Sequence, residues 1–338
     1  HVRSRRQRQM CIRDRPSRDV RSRPSVRGNT PSSEDRRTML IALAGAGAIS
    51  FAPLLYKLSE TNPATGAFFR MAYAVPFLLI MVYFSRKEDP RDNRSKRLTF
   101  LAGIIIAFDF LAYHSAIDYV GTGIATLIGN SQVIIVTLVS WKLLGERPNR
   151  SILLSLPVVV LGLALISGIW DGEPYGEDPT KGVFAAVLAA FFYSSFLVLY
   201  RYSNRQMAPA ANAQFDATVG ATFGLLALGL MPLEPIGVQQ INFGITWPSH
   251  AWLLVLALSC QVAGWIAITH ALPRLPGAHT SFAVLIQPVL TIIWGIFLLD
   301  EAPSTQQSAG MILIFAAIIA VTMLSLIHIS EPTRLRRI

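Results

Sequence analysis

The chain of 338 residues is too apolar for a soluble globular protein, since 52% of its residues are hydrophobic, 15% are charged and its mean hydropathy is +0.45. Soluble domains carry about 25% charged residues, so the composition indicates a membrane protein. The formal net charge of +10 does not argue for nucleic-acid binding, because residues 1–38 alone hold twelve arginines and no basic patch interleaved with aromatic residues follows them.

The two ends of the chain differ from everything between them. Residues 1–38 form a basic arm in which residues 9–15 resemble translated adapter sequence, and residues 327–338 form a tail of similar appearance. We interpret both ends as non-native sequence, with a natural, disordered basic arm as the alternative for the first. No functional inference rests on either end.

Runs of roughly 20 apolar residues separated by polar breaks predict ten transmembrane helices. These predicted spans, numbered 1 to 10, cover residues 39–58, 64–84, 98–118, 121–144, 151–170, 182–200, 211–231, 250–271, 276–299 and 305–326. Very short connections, such as residues 61–63 and 119–121, leave no room for extramembrane domains. The expected fold is therefore one compact, all-α membrane bundle.

Basic residues concentrate in the loops that follow the even-numbered spans. Six of them lie between Arg86 and Arg97, and the same side of the membrane receives Arg147, Arg201 and Arg274. The opposite side carries the acidic loop 171–178. The positive-inside rule then places both termini in the cytoplasm, and we expect a bacterial inner membrane.

A repeated stretch organises the chain. Residues 113–148 recur as residues 268–303 at a constant offset of 155 positions, so that Gln132 matches Gln287 and Glu146 matches Glu301 within a shared Leu-Leu-x-Glu-x-Pro pattern. The two repeats cover residues 39–170 and 182–326, with five spans each. Because each repeat has an odd number of spans, the second repeat begins on the opposite side of the membrane, so the two repeats are inverted. Inverted repeats are the architecture of alternating-access transporters.

Two of the charged residues in the predicted spans lie farthest from the span ends, where a charge costs at least about 2.5 kcal/mol. Arg70 in span 2 and Asp109 in span 3 lie at similar depths, so we predict that they pair. Two interpretations stay open: the pair borders the substrate path, or it is a structural ion pair that joins the two spans.

Helical spacing gathers further candidates for substrate or coupling contacts. Tyr113 shares a face of span 3 with Asp109, Asn130 lies on a stripe of span 4 with Thr126, Val133 and Thr137, and Gln132 is set off that stripe. Gln261 and Trp265 align on span 8, and Gln287 lies near the middle of span 9. Tyr193 and Trp265 are expected to line an aromatic cavity with Phe192 and Trp294. Helix packing is the alternative role for all of these residues.

Span 7 and two histidines complete the candidates. The pattern Gly220-x-x-x-Gly224 predicts a close helix crossing, with Asp216 one turn earlier as an acidic group at its cytoplasmic end. Proton coupling is the alternative for Asp216. His114 and His270 are interpreted as ordinary interfacial residues, because neither has a partner at metal-ligand spacing.

Ten spans in two inverted halves, together with Asn62-Pro63-Ala64, residues 108–117 and Leu143-Leu144-Gly145-Glu146-Arg147-Pro148, resemble the EamA-type transporters of the drug/metabolite transporter superfamily. The resemblance covers nearly everything from Met39 to Leu324. It implies a carrier of small molecules and places spans 5 and 10 as an outer scaffold. It does not choose among amino-acid exporters, metabolite uptake carriers and drug exporters.

We therefore predict a secondary transporter, an exporter of amphiphilic metabolites of amino-acid size or of drugs, working by alternating access with proton coupling through Asp109. A metabolite uptake carrier of the same fold is the alternative, and a membrane-embedded enzyme is disfavoured because no nucleophile, metal or cofactor motif is present. No phosphate loop is present either, so ATP does not drive transport directly. The expected partners are a small-molecule substrate and the lipid bilayer, with no cofactor, and a homodimer stays open.

Overall fold

The structure is a computed structural model that describes residues 33–330, apart from 86, 87, 133, 136–137, 139–149, 169, 207, 232–238 and 272–276. Its regular elements are helices, and they occupy all ten predicted spans. In chain order they are Ser33–Ser50 with Ala52–Leu58 (span 1), Pro63–Ser85 (2), Asn93–Val120 (3), Thr122–Asn130 (4), Arg150–Ile166 (5), Pro179–Ser203 (6), Ala210–Gly229 (7), Trp247–Leu256 with Ala257–Gly264 and Trp265–Ala271 (8), Gly277–Leu298 (9) and Thr305–Ser330 (10).

Five of these helical stretches are long and apolar enough to cross a membrane by length and composition: Arg37–Leu58, Pro63–Ser85, Asn93–Val120, Pro179–Ser203 and Trp247–Ala271. Three shorter apolar stretches are Leu153–Ile166, Leu285–Leu298 and Thr305–Ala320. The predicted fold class, an all-α membrane protein with ten transmembrane helices in two inverted five-helix repeats, is confirmed.

Local sequence signals explain where several helices begin. Asn62 caps span 2, because its side-chain oxygen accepts the Thr65 backbone N–H at 2.8 Å, and Pro63 supplies the first helical residue. Spans 3 and 4 are separated by a single residue, Gly121, whose φ of 84° lies in the left-handed region that glycine tolerates. The chain therefore reverses direction with almost no loop.

The predicted close crossing of span 7 is confirmed, and its partner is span 3. A Cβ added at Gly103 would overlap the carbonyl oxygen of Ala217, and one added at Gly220 would overlap the carbonyl oxygen of Phe100. Small residues let the two backbones meet directly, which is the packing that membrane helices favour. Span 3 of the first repeat is thus held tightly against span 7 of the second.

A buried arginine joins the same two helices at one end. Arg91 is only 4% exposed, and its guanidinium donates at 2.8 Å to both Asp89 and Asp216, with further donation to Thr99 and Asn204 at 3.2 Å. The Arg91 hydrogen bonds hold the pKa of the Asp89 carboxyl below its usual range. This arrangement, called here the Arg91 clamp, ties the loop after span 2 to spans 3, 6 and 7.

Replacing Arg91 by glutamine is expected to lower stability by about 3 kcal/mol, since the two carboxylates would lose the cation that compensates their burial. The measurement is thermal unfolding of the purified protein in detergent, with Arg94→Gln as the matched control, because Arg94 is exposed on the same side. Equal melting temperatures for Arg91→Gln and the control would contradict the clamp.

His114 is not interfacial as expected but is buried, with 1% exposure. Its ring stacks on Tyr56 of span 1 with centroids 4.1 Å apart, and its Nδ1 lies 3.4 Å from the Pro63 carbonyl oxygen. The short turn between spans 1 and 2, residues 59–62, brings the ends of both spans against this position. The interfacial interpretation of His114 is therefore wrong.

Candidate functional site

A cavity of about 410 Å³ lies among the helices and receives side chains from both repeats. Eight of the ten candidate residues line it: Arg70, Asp109, Tyr113, Asn130, Gln132, Tyr193, Trp265 and Gln287. Its size falls within the range of roughly 300–1,000 Å³ that is usual for small-molecule sites. The two matched glutamines of the repeat, Gln132 and Gln287, both reach it.

Arg70 is 3% exposed and contributes positive charge to the cavity. Its Nε donates to the side-chain oxygen of Gln261 at 3.3 Å, and its guanidinium carbon lies 4.4 Å from the centroid of the Phe110 ring. The two terminal nitrogens have no hydrogen-bond partner among the residues that the structure describes. Arg70 is thus oriented by a neutral amide and an aromatic face, which leave its fork open for an anion.

Asp109 lines the same cavity and is 7% exposed. The expected ion pair with Arg70 is absent: within the described part of the chain, Asp109 takes part in no ion pair within 4.0 Å. The structure therefore places Arg70 and Asp109 in one cavity without a direct contact between them.

A π-helix presents Gln261. Residues Ala257–Gly264 form π-helical turns within span 8, which sequence spacing did not predict. Gln261 contacts Arg70 and lines a small pocket together with Trp265, and Trp265 also lines the main cavity. π-helical turns are rare and often mark functional sites.

The aromatic wall of the cavity was predicted in part. Tyr193 and Trp265 line it with ring centroids 6.3 Å apart, and Phe110 joins them. Phe192 instead stacks on Phe108 at 5.2 Å, and Trp294 stacks on Phe51 at 4.7 Å. These last two residues therefore serve helix packing rather than the cavity.

Span 4 supplies polar groups on either side of a break in its helix. Thr126 and Asn130 line the cavity as expected, and the Tyr113 hydroxyl lies 2.7 Å from the Thr126 hydroxyl. The helix Thr122–Asn130 ends there, and a turn follows at Ser131. Gln132 therefore also lines the cavity, although regular helical spacing placed it on a different face from Thr126 and Asn130. The other stripe residues, Val133 and Thr137, lie outside the described residues.

Asp216 is not brought to the cavity, because it accepts the Arg91 hydrogen bond at the end of span 7. Arg201 does line the cavity, although the sequence analysis assigned it to a solvated loop. Of the two helices expected in the outer scaffold, span 10 contributes Ile318 to the lining and the described part of span 5 contributes nothing. No group of three or more potential metal ligands occurs among the described residues.

The bundle of apolar helices encloses a cavity of a size that suits a small solute. The family model of the EamA-like transporter family matches residues 36–168 and 180–323. The chain belongs to the EamA-like transporter family, and the resemblance seen in the sequence is confirmed.

Several curated proteins are similar over most of their length. The pseudopaline exporter CntI of Pseudomonas aeruginosa is 25% identical over 271 residues, covering 80% of this chain and 89% of that protein. The uncharacterized transporter YwfM of Bacillus subtilis is 24% identical over 298 residues, covering 88% and 93%. An uncharacterized transporter of Archaeoglobus fulgidus is 23% identical over 288 residues, covering 84% and 95%.

A solved crystal structure matches 88% of this chain and 99% of its own, with a TM-score of 0.53 and 18% sequence identity. This likeness supports the shared fold alone.

Proposed function

We propose that the protein exports small amphiphilic metabolites of amino-acid size by alternating access, with coupling to protons through Asp109. The observation that carries the proposal is the presence of Arg70 and Asp109, both buried, in one cavity without direct pairing. Intramembrane charges are costly and usually mark a substrate or ion path. A charge pair that only joined two helices would be expected to be in contact.

The substrate class follows from the lining of the cavity. The open fork of Arg70 suits a carboxylate, and the carboxylate of Asp109 suits an ammonium group or a proton. Phe110, Tyr193 and Trp265 add an apolar wall against which a hydrophobic side chain can pack. A zwitterion with an apolar side chain satisfies all three parts of the site.

Export is favoured by the similarity to the pseudopaline exporter, which covers 80% of this chain. The same cavity would also serve an uptake carrier, so the direction of transport requires measurement. Proteoliposomes loaded with radiolabelled phenylalanine, leucine or glutamate, with an imposed pH gradient, measure both direction and coupling. Hydrolytic or transferase activity without flux would contradict the proposal.

The proposed orientation has both termini in the cytoplasm of a bacterial inner membrane. The two cysteines of the chain, Cys11 and Cys260, are first replaced by serine. In that background we expect an impermeant thiol reagent to label Asp178→Cys from outside and Asn93→Cys from inside. The reverse labelling would overturn the orientation and the direction of transport assigned from it.

A further inference from the structure

The glutamate of the second repeated motif makes an unusual contact. Glu301, 6% exposed, accepts the backbone N–H groups of Thr122 and Gly123 at 2.5 and 3.1 Å. These are the first two residues of the helix in span 4. A carboxylate at a helix N-terminus gains both charge-assisted hydrogen bonds and a favourable interaction with the helix dipole.

Close packing surrounds this contact. A Cβ added at Gly295 of span 9 would overlap the Glu301 carboxylate, and one at Gly121 would approach it to 2.9 Å. A Cβ at Gly123 would lie 3.3 Å from the Ile292 backbone. Span 4 of the first repeat therefore packs closely against span 9 of the second, and the Glu301 carboxylate lies in this junction.

The junction lies beside one end of the cavity. Thr126, one helical turn beyond Thr122, already lines the cavity. Arg201 lines the cavity at its other end. Span 6 gives the distance between the two ends, because Gly182 of that helix packs against Val120 beside the junction. Arg201 lies about 28 Å further along the same helix, at ~1.5 Å per residue. The Glu301 contact thus lies at the end opposite Arg201.

We infer that Glu301 is a positioning residue for transport: it holds the cavity closed at this end, and it must release Thr122 and Gly123 before substrate can pass there. The inference rests on the proposed function, because a closed end has a role only if solute crosses. In the proposed orientation this is the outer end. Release and capture of one carboxylate give the junction two defined states, which is the kind of element that alternating access requires.

The test needs no substrate. In the background without Cys11 and Cys260, the reporter is Gly129→Cys, because Gly129 lines the cavity and a Cβ there meets no atom within 4 Å. An impermeant methanethiosulfonate reagent is applied separately to each membrane face. The face at the Glu301 end is identified by labelling of Asp178→Cys, since the Asp178 N–H donates to Tyr119 beside the junction.

Glu301→Gln leaves one amide oxygen to accept a hydrogen bond but turns an NH₂ group towards the second donor. We expect the labelling rate from the Glu301 face to rise about tenfold, and to rise further for Glu301→Ala, which loses both bonds. The rate from the opposite face should fall or stay constant. The matched control is Glu177→Gln, an exposed glutamate on the same side, which should leave both rates unchanged.

Unchanged labelling in both Glu301 variants would overturn the inference. A rise from both faces together would also overturn it, since that result indicates general loosening of the bundle. The labelling result and the flux result can be told apart. If labelling rises only from the Glu301 face but no solute is transported, the closing role of Glu301 stands and the proposed function falls. If solute is transported but labelling is unchanged in the Glu301 variants, the proposed function stands and the closing role of Glu301 falls.

Discussion

Replacing Arg70 by glutamine is expected to lower the transport of a carboxylate-bearing substrate at least about 30-fold, because truncating one partner of a buried charge pair, here Arg70 and the substrate carboxylate, costs about 2–5 kcal/mol. Arg70→Lys should be intermediate, since lysine retains the charge but loses the planar fork and the stacking on Phe110. The assay is counterflow exchange in proteoliposomes, comparing an amino acid with its amide. Arg70→Gln should greatly reduce the preference for the acid.

Arg205→Gln provides the matched control for this experiment, because Arg205 is an exposed arginine that lies over the Tyr202 ring and does not line the cavity. Its flux and its preference for the acid should equal those of the unaltered protein. If Arg70→Gln also retained both, Arg70 would not contact the substrate and its buried charge would be structural.

The second large effect is expected for Asp109→Asn. Asparagine has nearly the same shape but cannot take up or release a proton, so transport driven by a pH gradient should be lost while exchange without a gradient continues. Folding should be preserved, because Asp109 is in no ion pair with a described residue. The measurement is flux with and without an imposed pH gradient.

Asp300→Asn is the control for Asp109→Asn. Asp300 is exposed and has a φ of 54°, a conformation that asparagine also tolerates, so the change should affect neither folding nor coupling. Transport that remains undiminished and pH-driven in Asp109→Asn would remove Asp109 from the coupling step. A proton would then have to be carried by another group or by the substrate itself.

Much of the fold was predictable because hydrocarbon imposes a strong rule on the backbone: each span must satisfy its own hydrogen bonds as a helix. The close crossing at Gly220 was predictable for a related reason, since small residues at helical spacing indicate backbone contact. The partner of span 7 was not predictable, because Gly103 carries no sign in the sequence of which helix it meets.

The site was predicted less completely than the fold. The depth of Arg70 and Asp109 correctly placed both in one region, but spacing alone cannot show that a third residue, Gln261, engages the arginine. Spacing also assumes a regular helix, and the π-helical turns of span 8 and the break after Asn130 violate that assumption. Arg201 and Asp216 lie near helix ends. There, an error of one helical turn in the predicted position decides whether a side chain is placed in solvent, in the cavity or in an ion pair.

The backbone contact between Gly103 and Gly220 has a mechanical consequence. Together with the Arg91 clamp, it fastens span 3 to spans 6 and 7, so a helix of the first repeat is bonded to two helices of the second. A hinge between the two repeats would have to break the Gly103–Gly220 contact and the Arg91 clamp in every transport cycle. In the proposed alternating-access cycle, the rigid blocks that move against each other would therefore combine helices of both repeats, and the line of bending would cut across the repeated halves.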